Sequence, residues 1–427
     1  MKNTCRLILN KATTNFNQTR AFSTSTIQSG IWANVQYAPL DAIKQLTIQF
    51  NQDTSPNKIL LGEGVYRTNE GKPKTLTSVR EAERIIFEKA MDHEYPPVTG
   101  VPDFCKATQK FAFGENKENI ATVQAISGTG SLCLSACFIK KFLPADTKVY
   151  FPNPTWVNHF NIFSAQGFSD DRLPTYRYFD KKTNGMDVAG CLEDLKNAPE
   201  RSVILLHACA HNPTGVDPSM DTWKQISDIC KQKKHYVLFD SAYQAFASGD
   251  ANTDAQSFRL FVKEGHQIML CQSYAKNFGL YGQRIGAFSV VCENAEEKKN
   301  VESQLGIIIR TQYSNPPLHG ARLVTTVLNS PELKAQWEKD VKELADRIKS
   351  MRSRLVEELK AAGSTRDWSH ITKQIGMFAY SGLNEQQVNR LREEYHIYMT
   401  KDGRISISGL NTNNVATVAK AMHEVTK

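Results

Sequence analysis

The chain is predicted to be an α/β protein, with a large domain built on a mostly parallel sheet flanked by helices and a second, smaller α/β domain. Apolar runs of strand length recur along it, and segments with helical spacing of apolar residues, such as 221–234, lie between them. Because strands separated by helices pair in parallel and are covered on both faces, this alternation predicts a parallel sheet. The predicted sheet strands are 122–126, 148–151, 203–208, 236–239, 268–271 and 285–291.

The N-terminal segment has the composition of an organelle transit peptide, since its first forty residues contain no Asp or Glu. Its four basic residues, spread among Ser, Thr and Asn, are Lys2, Arg6, Lys11 and Arg20. The apolar run 7–9 is too short for a secretory signal, and 20–25 resembles a processing site of mitochondrial precursors. We therefore expect a transit peptide over 1–29 and a location in the mitochondrial matrix. A basic tail that binds anionic lipid is the alternative.

Composition describes a soluble enzyme rather than a nucleic-acid or membrane protein. Removing the four cations of the transit segment lowers the formal charge from +8 to +4, so much of the basic balance belongs to that segment. No run approaches the roughly 18 apolar residues of a membrane span. The nine cysteines lie scattered without paired spacing, which predicts reduced thiols.

After the transit segment, the predicted organisation has an arm, a large domain and a small domain made of two separate segments. The arm is 30–40, and its Trp32 and Tyr37 are expected to be exposed on a monomer and to pack on a dimer partner. The small domain is predicted at 41–73 and 344–427, and the large cofactor-binding domain at 74–343. A long charged helix over 331–362, with apolar residues at helical spacing, links the two.

The segment 122–137 reads as a strand, a turn rich in Gly and an apolar helix, in that order. Backbone N–H groups and the helix dipole point at such a turn, which makes it a site for an anion. Gly128 and Thr129 are therefore candidates to hold a phosphate. The earlier Gly62-Glu63-Gly64 also follows a strand run, but it lacks the third glycine and the helix of a dinucleotide site.

The segment 202–215 is a buried strand followed by the turn Asn212-Pro-Thr-Gly, which places an amide side chain near the strand end. His207, Cys209 and His211 alternate, so on a strand they would face one side and could bind a metal. Three alternating residues on a flat strand rarely converge on one ion, and histidines of the core or around the site are the favoured interpretation.

The segment 236–243 is an apolar strand that ends in Asp240, with Tyr243 three residues on. Open α/β folds bind their ligands at the carboxyl ends of strands. A carboxylate there can keep a pyridine nitrogen protonated, and Tyr243 and Asn212 could bind a phenolic oxygen of the same ring. A helix cap and a core tyrosine are the alternative.

The segment 267–284 carries the most informative residue, Lys276, just after an apolar strand run. Desolvation lowers the pKa of an amine and makes it a nucleophile able to form a Schiff base with a cofactor aldehyde. Ser273 and Arg284 could turn to the same pocket and offer a hydroxyl and a cation to a phosphate. This combination predicts pyridoxal 5'-phosphate. A solvated surface lysine is the alternative.

In this order, and from about Trp32 to the C-terminus, these pieces resemble the aspartate aminotransferases, which are fold type I pyridoxal phosphate enzymes. The resemblance also includes Tyr95-Pro-Pro-Val-Thr-Gly, Asn153-Pro-Thr-Trp156-Val-Asn-His159, Tyr313-Ser314-Asn315-Pro-Pro and Gly403-Arg404-Ile-Ser-Ile-Ser-Gly-Leu. It implies a ping-pong exchange of an amino group between L-aspartate and 2-oxoglutarate, giving oxaloacetate and L-glutamate. It implies no metal, and a homodimer with shared active sites that acts on dicarboxylic amino and keto acids.

The resemblance also implies roles for individual residues. Lys276 would bind the cofactor covalently and move the proton, Asp240 would pair with the pyridine nitrogen, and His159 would support Asp240. The phenolic oxygen would be bound by Asn212 and Tyr243, and Trp156 would stack on the ring. The implied phosphate site consists of Ser127, Gly128, Thr129, Ser273 and Arg284, with Tyr95 from the other subunit.

Two arginines would select the substrate. Arg404 is implied to bind the α-carboxylate, and Arg310 of the neighbouring subunit to bind the side-chain carboxylate, because planar forks pair bidentately with carboxylates. Gly64, Trp156 and Asn212 complete the implied substrate site. Taken alone, either arginine could be an ordinary surface residue.

Three positions depart from the family pattern, namely Glu63, Val65 and Ala245. The departures therefore concern loop conformation near the substrate rather than the cofactor site. Within the same chemistry, an aromatic amino acid aminotransferase is the main alternative. A lipid- or nucleic-acid-binding protein would need a continuous basic face with interleaved aromatics, which the sequence lacks outside the transit segment.

Overall fold

The computed structural model describes residues 30–38 and 40–427. The predicted transit peptide lies outside the described residues. The chain divides into two compact units between Asp41 and Ala42. In the first unit, residues 31–34 form a turn. Trp32 and Tyr37 are 74% and 88% exposed, as expected of an arm on a monomer.

The second unit contains thirteen strands in the described part of the chain. They are β1 (Ile59–Leu60), β2 (Ile120–Ile126), β3 (Val149–Asn153), β4 (Thr175–Arg177), β5 (Phe179–Asp180), β6 (Gly185–Met186), β7 (Val203–His207), β8 (Tyr236–Ser241), β9 (Met269–Ser273), β10 (Ile285–Val291), β11 (Phe378–Tyr380), β12 (Ile397–Tyr398) and β13 (Arg404–Ser406). Each predicted sheet strand is therefore present, with bounds that differ from the predicted ones by at most two residues.

Fourteen α-helices are described in the same unit. They are α1 (Ala42–Gln52), α2 (Thr77–Glu88), α3 (Pro102–Phe113), α4 (Ser127–Phe142), α5 (Asn158–Ala165), α6 (Val188–Asn197), α7 (Met220–Gln232), α8 (Gln256–Lys263), α9 (Ala295–Gln312), α10 (Leu318–Asn329), α11 (Pro331–Ala361), α12 (Ser369–Lys373), α13 (Glu385–Tyr395) and α14 (Val415–Thr426). The predicted helices over 221–234 and 331–362 correspond to α7 and α11.

The central sheet has seven strands in the order β2-β10-β9-β8-β7-β3-β4. The pairs β3/β4, β3/β7, β7/β8 and β8/β9 are parallel, whereas β10 is antiparallel to both of its neighbours. Because helices pack on both faces, nearly all residues of its inner strands are buried. The α/β fold with a mostly parallel sheet is thus confirmed.

Two small sheets join segments that are distant in sequence. Strand β1 pairs with β12 in parallel, and β11 pairs with β13 antiparallel. Asp53 stabilises the first pairing, since its Oδ2 accepts hydrogen bonds from His396 Nδ1 and Tyr398 Oη, both at 2.7 Å. Residues 42–427 form one compact unit, and the two-domain boundaries proposed from the sequence remain a prediction.

One local prediction was wrong, and the strand geometry behind the metal-site alternative is absent from the described residues. Helix α4 begins at Ser127, so Gly128 and Thr129 belong to its first turn rather than to a preceding loop. Strand β7 ends at His207, and Ala210 has φ +49°, so Cys209 and His211 do not continue an extended strand. Asp217 holds this bend, because its carboxylate accepts the backbone N–H groups of Ala210 and His211 at 2.7 and 2.9 Å.

Within residues 30–38 and 40–427, every helix is too short or too polar to span a bilayer.

Candidate active site

A cavity of about 290 Å³ lies where the carboxyl ends of β7, β8 and β9 meet the N-terminus of α4. Twelve of the residues proposed from the sequence line it, namely Gly64, Ser127, Gly128, Thr129, Trp156, Asn212, Asp240, Tyr243, Ser273, Lys276, Arg284 and Arg404. The same cavity is also lined by residues that the sequence analysis did not assign to it, namely Ile43, Leu132, His207, Cys209, Ala242, Ala275 and Phe378.

One end of the cavity is suited to an anion. Ser127 begins α4 with φ +61°, and its hydroxyl lies 3.1 Å from that of Ser273 at the end of β9. The free N–H groups of the first turn of α4, the two hydroxyls and the Arg284 guanidinium are all donors. A phosphate, with its acceptor oxygens and negative charge, matches this set of donors.

Gly286 on β10 permits this arrangement, because the backbone of Ser127 lies directly above it. A Cβ at Gly286 would lie 2.7 and 2.8 Å from the carbonyl carbon and oxygen of Ser127, and still closer to the carbonyl oxygen of Gln272. We expect Gly286→Ala to displace Ser127 and to weaken the affinity for a phosphate-bearing cofactor by about tenfold or more. Equilibrium dialysis measures this affinity. Gly282→Ala is the control, since nothing lies within 4 Å of its added carbon.

Lys276 lies in the turn that follows β9, and its Nζ is 4.8 Å from the centre of the Tyr281 ring. Burial, together with a smaller effect of the nearby Arg284 cation, lowers the pKa of its amine from 10.5 to about 8. The groups that act on its pKa include no carboxylate. A larger fraction of this amine is therefore neutral, and hence nucleophilic, than of an exposed lysine at the same pH.

The lowered pKa predicts a distinct pH dependence for this amine. Between pH 8 and 10.5 the folded cofactor-free protein holds Lys276 neutral while the unfolded chain keeps it protonated, so its burial costs less stability as pH rises through this window. We expect labelling of Lys276 by an amine-reactive probe to rise with a midpoint near pH 8. Peptide mass spectrometry measures the rates, with exposed Lys401 as the control. A midpoint shared by both lysines would contradict this assignment.

Asp240 is joined to a chain of hydrogen bonds that runs behind the cavity. His159 Nε2 lies 3.0 Å from Asp240 Oδ2, and His159 Nδ1 lies 2.8 Å from Thr155 Oγ1. Thr155 Oγ1 in turn lies 3.1 Å from His207 Nε2. The chain therefore connects the carboxylate at the end of β8 with the histidine at the end of β7.

The donor and the acceptor of each hydrogen bond in this chain follow from His207, which lies at the end away from Asp240. The backbone N–H of Asn212 donates to His207 Nδ1 at 3.2 Å. Burial lowers the pKa of His207 to about 3, so the ring is neutral and carries its proton on Nε2. Each group then donates to the next, and His159 delivers an N–H to Asp240. The Asp240 side chain is thereby held in place as the acceptor at the end of the chain.

The Asn212 and Tyr243 side chains lie on neighbouring loops beside Asp240. Asn212 Oδ1 is buried and has no hydrogen-bond partner among the described residues, which indicates that a ligand or water completes it. Burial and the Asp240 charge raise the pKa of Tyr243. Its hydroxyl therefore stays protonated and is able to donate a hydrogen bond.

The residues of the alternative metal site have other partners. His207 belongs to the chain above, and His211 bonds Thr214 Oγ1 through Nδ1 at 2.8 Å and stacks on Tyr178 with ring centres 4.0 Å apart. In 30–38 and 40–427, no group of three His, Cys, Asp or Glu side chains is arranged to hold a metal ion.

Arg404, on β13, also lines the cavity, and it is 5% exposed. It donates to the carbonyl of Gly62 at 2.9 Å, and its guanidinium carbon is 4.3 Å from the centre of the Phe378 ring. Gly64 leaves room for that ring, because a Cβ there would lie 2.7 Å from Phe378 Cζ. The cavity is thus lined by a second guanidinium besides that of Arg284.

Two predicted residues lie outside this cavity. Tyr95 is 84% exposed, and Arg310 is exposed at the end of α9, where it contacts Ser314 and lies 3.4 Å from Asn315 Oδ1. Asn315 also donates to the carbonyl of Pro96 at 2.8 Å, so it ties the segment of Tyr95 to that of Arg310. Their predicted contribution to a neighbouring subunit's site remains a prediction.

Comparisons with known proteins agree with this geometry. The family model of class I and II aminotransferases matches residues 56–422. A mitochondrial aspartate aminotransferase of Dictyostelium discoideum is 53% identical over 413 residues, which cover 96% of this chain and 95% of the relative. The chain therefore belongs to the class I and II aminotransferases, as the sequence analysis predicted.

Solved structures point to the same group. A mitochondrial aspartate aminotransferase from Trypanosoma brucei has a TM-score of 0.86 and 44% identity, covering 90% of this chain and all of that chain. An aromatic-amino-acid aminotransferase from Burkholderia pseudomallei, covalently bound to pyridoxal phosphate, has a TM-score of 0.90 and 41% identity, covering 93% of this chain and all of that chain.

Proposed function

We propose that the chain is a pyridoxal phosphate-dependent enzyme that exchanges an amino group between L-aspartate and 2-oxoglutarate. The observation that carries this proposal is the placement of Lys276. Its partly buried amine, with a pKa lowered to about 8, lines one cavity with Asp240, the anion-binding turn of α4 and Arg404. The names of the relatives from Dictyostelium and Trypanosoma support the choice of aspartate.

The side chains that line the cavity have the donors and acceptors that pyridoxal 5'-phosphate requires. The serine hydroxyls, the N-terminus of α4 and Arg284 would hold the phosphate. The unpartnered amide of Asn212 and the protonated Tyr243 would bind the phenolic oxygen. Asp240 would pair with the ring nitrogen. When bound, this cofactor supplies an aldehyde carbon and a ring that withdraws electrons from it.

The residues of this chain then have separate tasks. Lys276, as a neutral amine, would bind the aldehyde and, once displaced by substrate, would take the proton from the substrate's α-carbon and deliver it to the aldehyde carbon of the cofactor. Asp240, fixed by the N–H of His159, would keep a proton on the ring nitrogen. Arg404 would orient the α-carboxylate, and Trp156 would cover the ring face.

Visible absorbance tests this proposal directly. The purified protein, incubated with pyridoxal phosphate and dialysed, should retain an absorbance band that changes on adding aspartate and returns on adding 2-oxoglutarate. Coupled assays should then detect oxaloacetate and glutamate. A protein that retains no band, or whose band is indifferent to both acids, would refute the proposed activity.

An aromatic amino acid aminotransferase is the second candidate, because the Burkholderia structure of that kind covers nearly the whole chain. The two candidates differ in the ratio of kcat/KM for aspartate to that for phenylalanine. We propose that aspartate is preferred, since Arg404 and Arg310 together provide two cationic forks for a dicarboxylate.

Arg310 should set this preference. We expect Arg310→Asp to lower kcat/KM for aspartate and glutamate by about 10²-fold or more while sparing phenylalanine, because only the dicarboxylates lose an ion pair and gain repulsion. Steady-state kinetics on the three substrates measure the effect. Arg354→Asp is the control, because this exposed arginine pairs with Glu358 on α11 away from the cavity.

The proposed homodimer with shared sites is tested by mixing two inactive variants, one lacking Lys276 and one lacking Arg310. If Arg310 and Tyr95 act in the neighbouring subunit's site, a mixed dimer holds one site with both defects and one with neither. About a quarter of the parental sites should reappear after statistical subunit exchange. Exchange without any recovery would mean that both residues serve the site of their own subunit.

We also propose a mitochondrial location, supported by the acid-free N-terminal segment and by the names of the relatives. Fusion of residues 1–29 to a fluorescent reporter tests it. Diffuse fluorescence outside mitochondria would refute it.

A further inference from the structure

Arg352, in the C-terminal half of α11, is a buried arginine whose charge has no carboxylate partner among the described residues. Its side chain is 2% exposed, and burial is the sole influence on its pKa, which falls to about 9. The guanidinium therefore still carries its charge at neutral pH. Burying an unpaired cation is unfavourable unless its N–H groups are satisfied. Nη1 and Nη2 both have acceptors, whereas the buried Nε has none in the described part of the chain.

The guanidinium gathers three carbonyl groups of the segment that leads into β11. Nη1 donates to Ile371 at 2.9 Å, and Nη2 donates to Gly376 at 2.8 Å and to Phe378 at 2.6 Å. Hydrogen bonds from an ionised donor are stronger than neutral ones. Arg352 thus fixes the backbone at Phe378.

Phe378 connects this cation to the cavity. Its ring lines the cavity and lies under the Arg404 guanidinium, 4.3 Å from ring centre to guanidinium carbon. Its carbonyl is also closely covered by Gly215 of the Asn212 turn, where a Cβ would lie 2.6 Å from that oxygen. A shift of the Phe378 backbone would therefore move the surface on which Arg404 rests.

We infer that Arg352 is a positioning residue for carboxylate binding, which acts through Phe378 on Arg404 and makes no contact with substrate. This inference rests on the proposed function, because it assigns Arg404 to the substrate carboxylate. It predicts an effect on substrate affinity with little effect on the cofactor or on the chemical step.

The test compares Arg352→Met, which keeps an unbranched apolar stem without donors, with Arg352→Lys in the enzyme reconstituted with pyridoxal phosphate. Maleate, a dicarboxylate that cannot be transaminated, serves as the probe, and the cofactor absorbance reports its binding. Arg352→Met should raise the Kd for maleate and the KM for aspartate about tenfold, with kcat changed less than about threefold. Arg352→Lys should give a smaller increase.

Arg347→Met is the matched control, because Arg347 lies on the same helix and donates to the carbonyl of Leu410 at 2.9 Å, outside the cavity. It should leave maleate affinity within about twofold. In a Phe378→Leu background, the effect of Arg352→Met should shrink, since both changes act on one contact.

Unchanged maleate affinity in a folded Arg352→Met, or fully additive effects with Phe378→Leu, would overturn the inference. If Arg352→Met does not fold, the maleate affinity of Arg352→Lys, measured alone and in combination with Phe378→Leu, tests the inference by the same two criteria. A parent protein that neither binds maleate nor transaminates aspartate would instead refute the proposed function.

Discussion

Lys276→Ala should abolish amino transfer while leaving a folded protein that still binds pyridoxal phosphate without a covalent bond. The substitution removes the nucleophile and the proton carrier together, so we expect the rate of the half-reaction with aspartate to fall by about 10⁴-fold or more. Lys276 has no carboxylate acting on its pKa, and removing it leaves no buried charge unpaired. Single-turnover absorbance measurements give the rate.

Lys58→Ala is the control for this experiment. Its Nζ donates to the carbonyls of Phe50 and Asp53, and it does not line the cavity. That variant should turn over aspartate at nearly the parental rate. Near-parental turnover by Lys276→Ala would mean that another group is the nucleophile.

Asp240→Ala should slow the half-reaction by about 10²- to 10³-fold, the usual cost of losing one preorganised electrostatic partner of the reacting group. Cofactor affinity should fall far less, because the phosphate site is built from Ser127, Ser273 and the start of α4 rather than from Asp240. Comparing single-turnover rates with the Kd for pyridoxal phosphate separates the two effects.

Asp254→Asn is the matched control, since Asp254 is another buried carboxylate close to the site. Burial raises its pKa to about 7, and it accepts backbone N–H groups of Ala247 and Ser248 without lining the cavity. We expect a loss of thermal stability but a small change in the rate. If Asp240→Ala merely released the cofactor, its role would be structural.

Much of this site could be predicted from the sequence because its side chains follow apolar strands. Asp240 and Lys276 come at or just after the ends of β8 and β9, and parallel neighbours bring their carboxyl ends to one edge. The residues at the cofactor end of the cavity could therefore be predicted from the strands and their order along the chain. The predicted bounds of several elements differ from the observed ones by one or two residues, because caps and bends rather than apolar residues determine where these elements end.

The roles of other residues could not be predicted from the sequence. Thr155 and His207 lie 52 positions apart and meet only through the pairing of β3 with β7. Phe378 and Arg352 carry no motif, because one is an apolar residue and the other a charge on a highly charged helix. Their roles depend on three-dimensional contacts that local patterns do not encode.

Ala245, one of the departures from the family pattern, has a backbone conformation that favours glycine. It lies at φ +70°, a conformation that glycine adopts without cost, yet it is 1% exposed in the core. The loop therefore keeps a shape suited to glycine while its methyl group contributes packing.

The order of segments along the chain has a consequence for folding. All groups proposed to hold the cofactor within one subunit lie between Ser127 and Arg284, and the seven strands of the central sheet all lie between Ile120 and Val291. Gly64 precedes this stretch and Arg404 follows it, and β1 pairs with β12 from the far end of the chain. The groups proposed to hold the cofactor thus come from one continuous stretch, whereas the proposed substrate site also needs early and late segments to meet, which are the contacts of highest sequence separation and loop-closure cost.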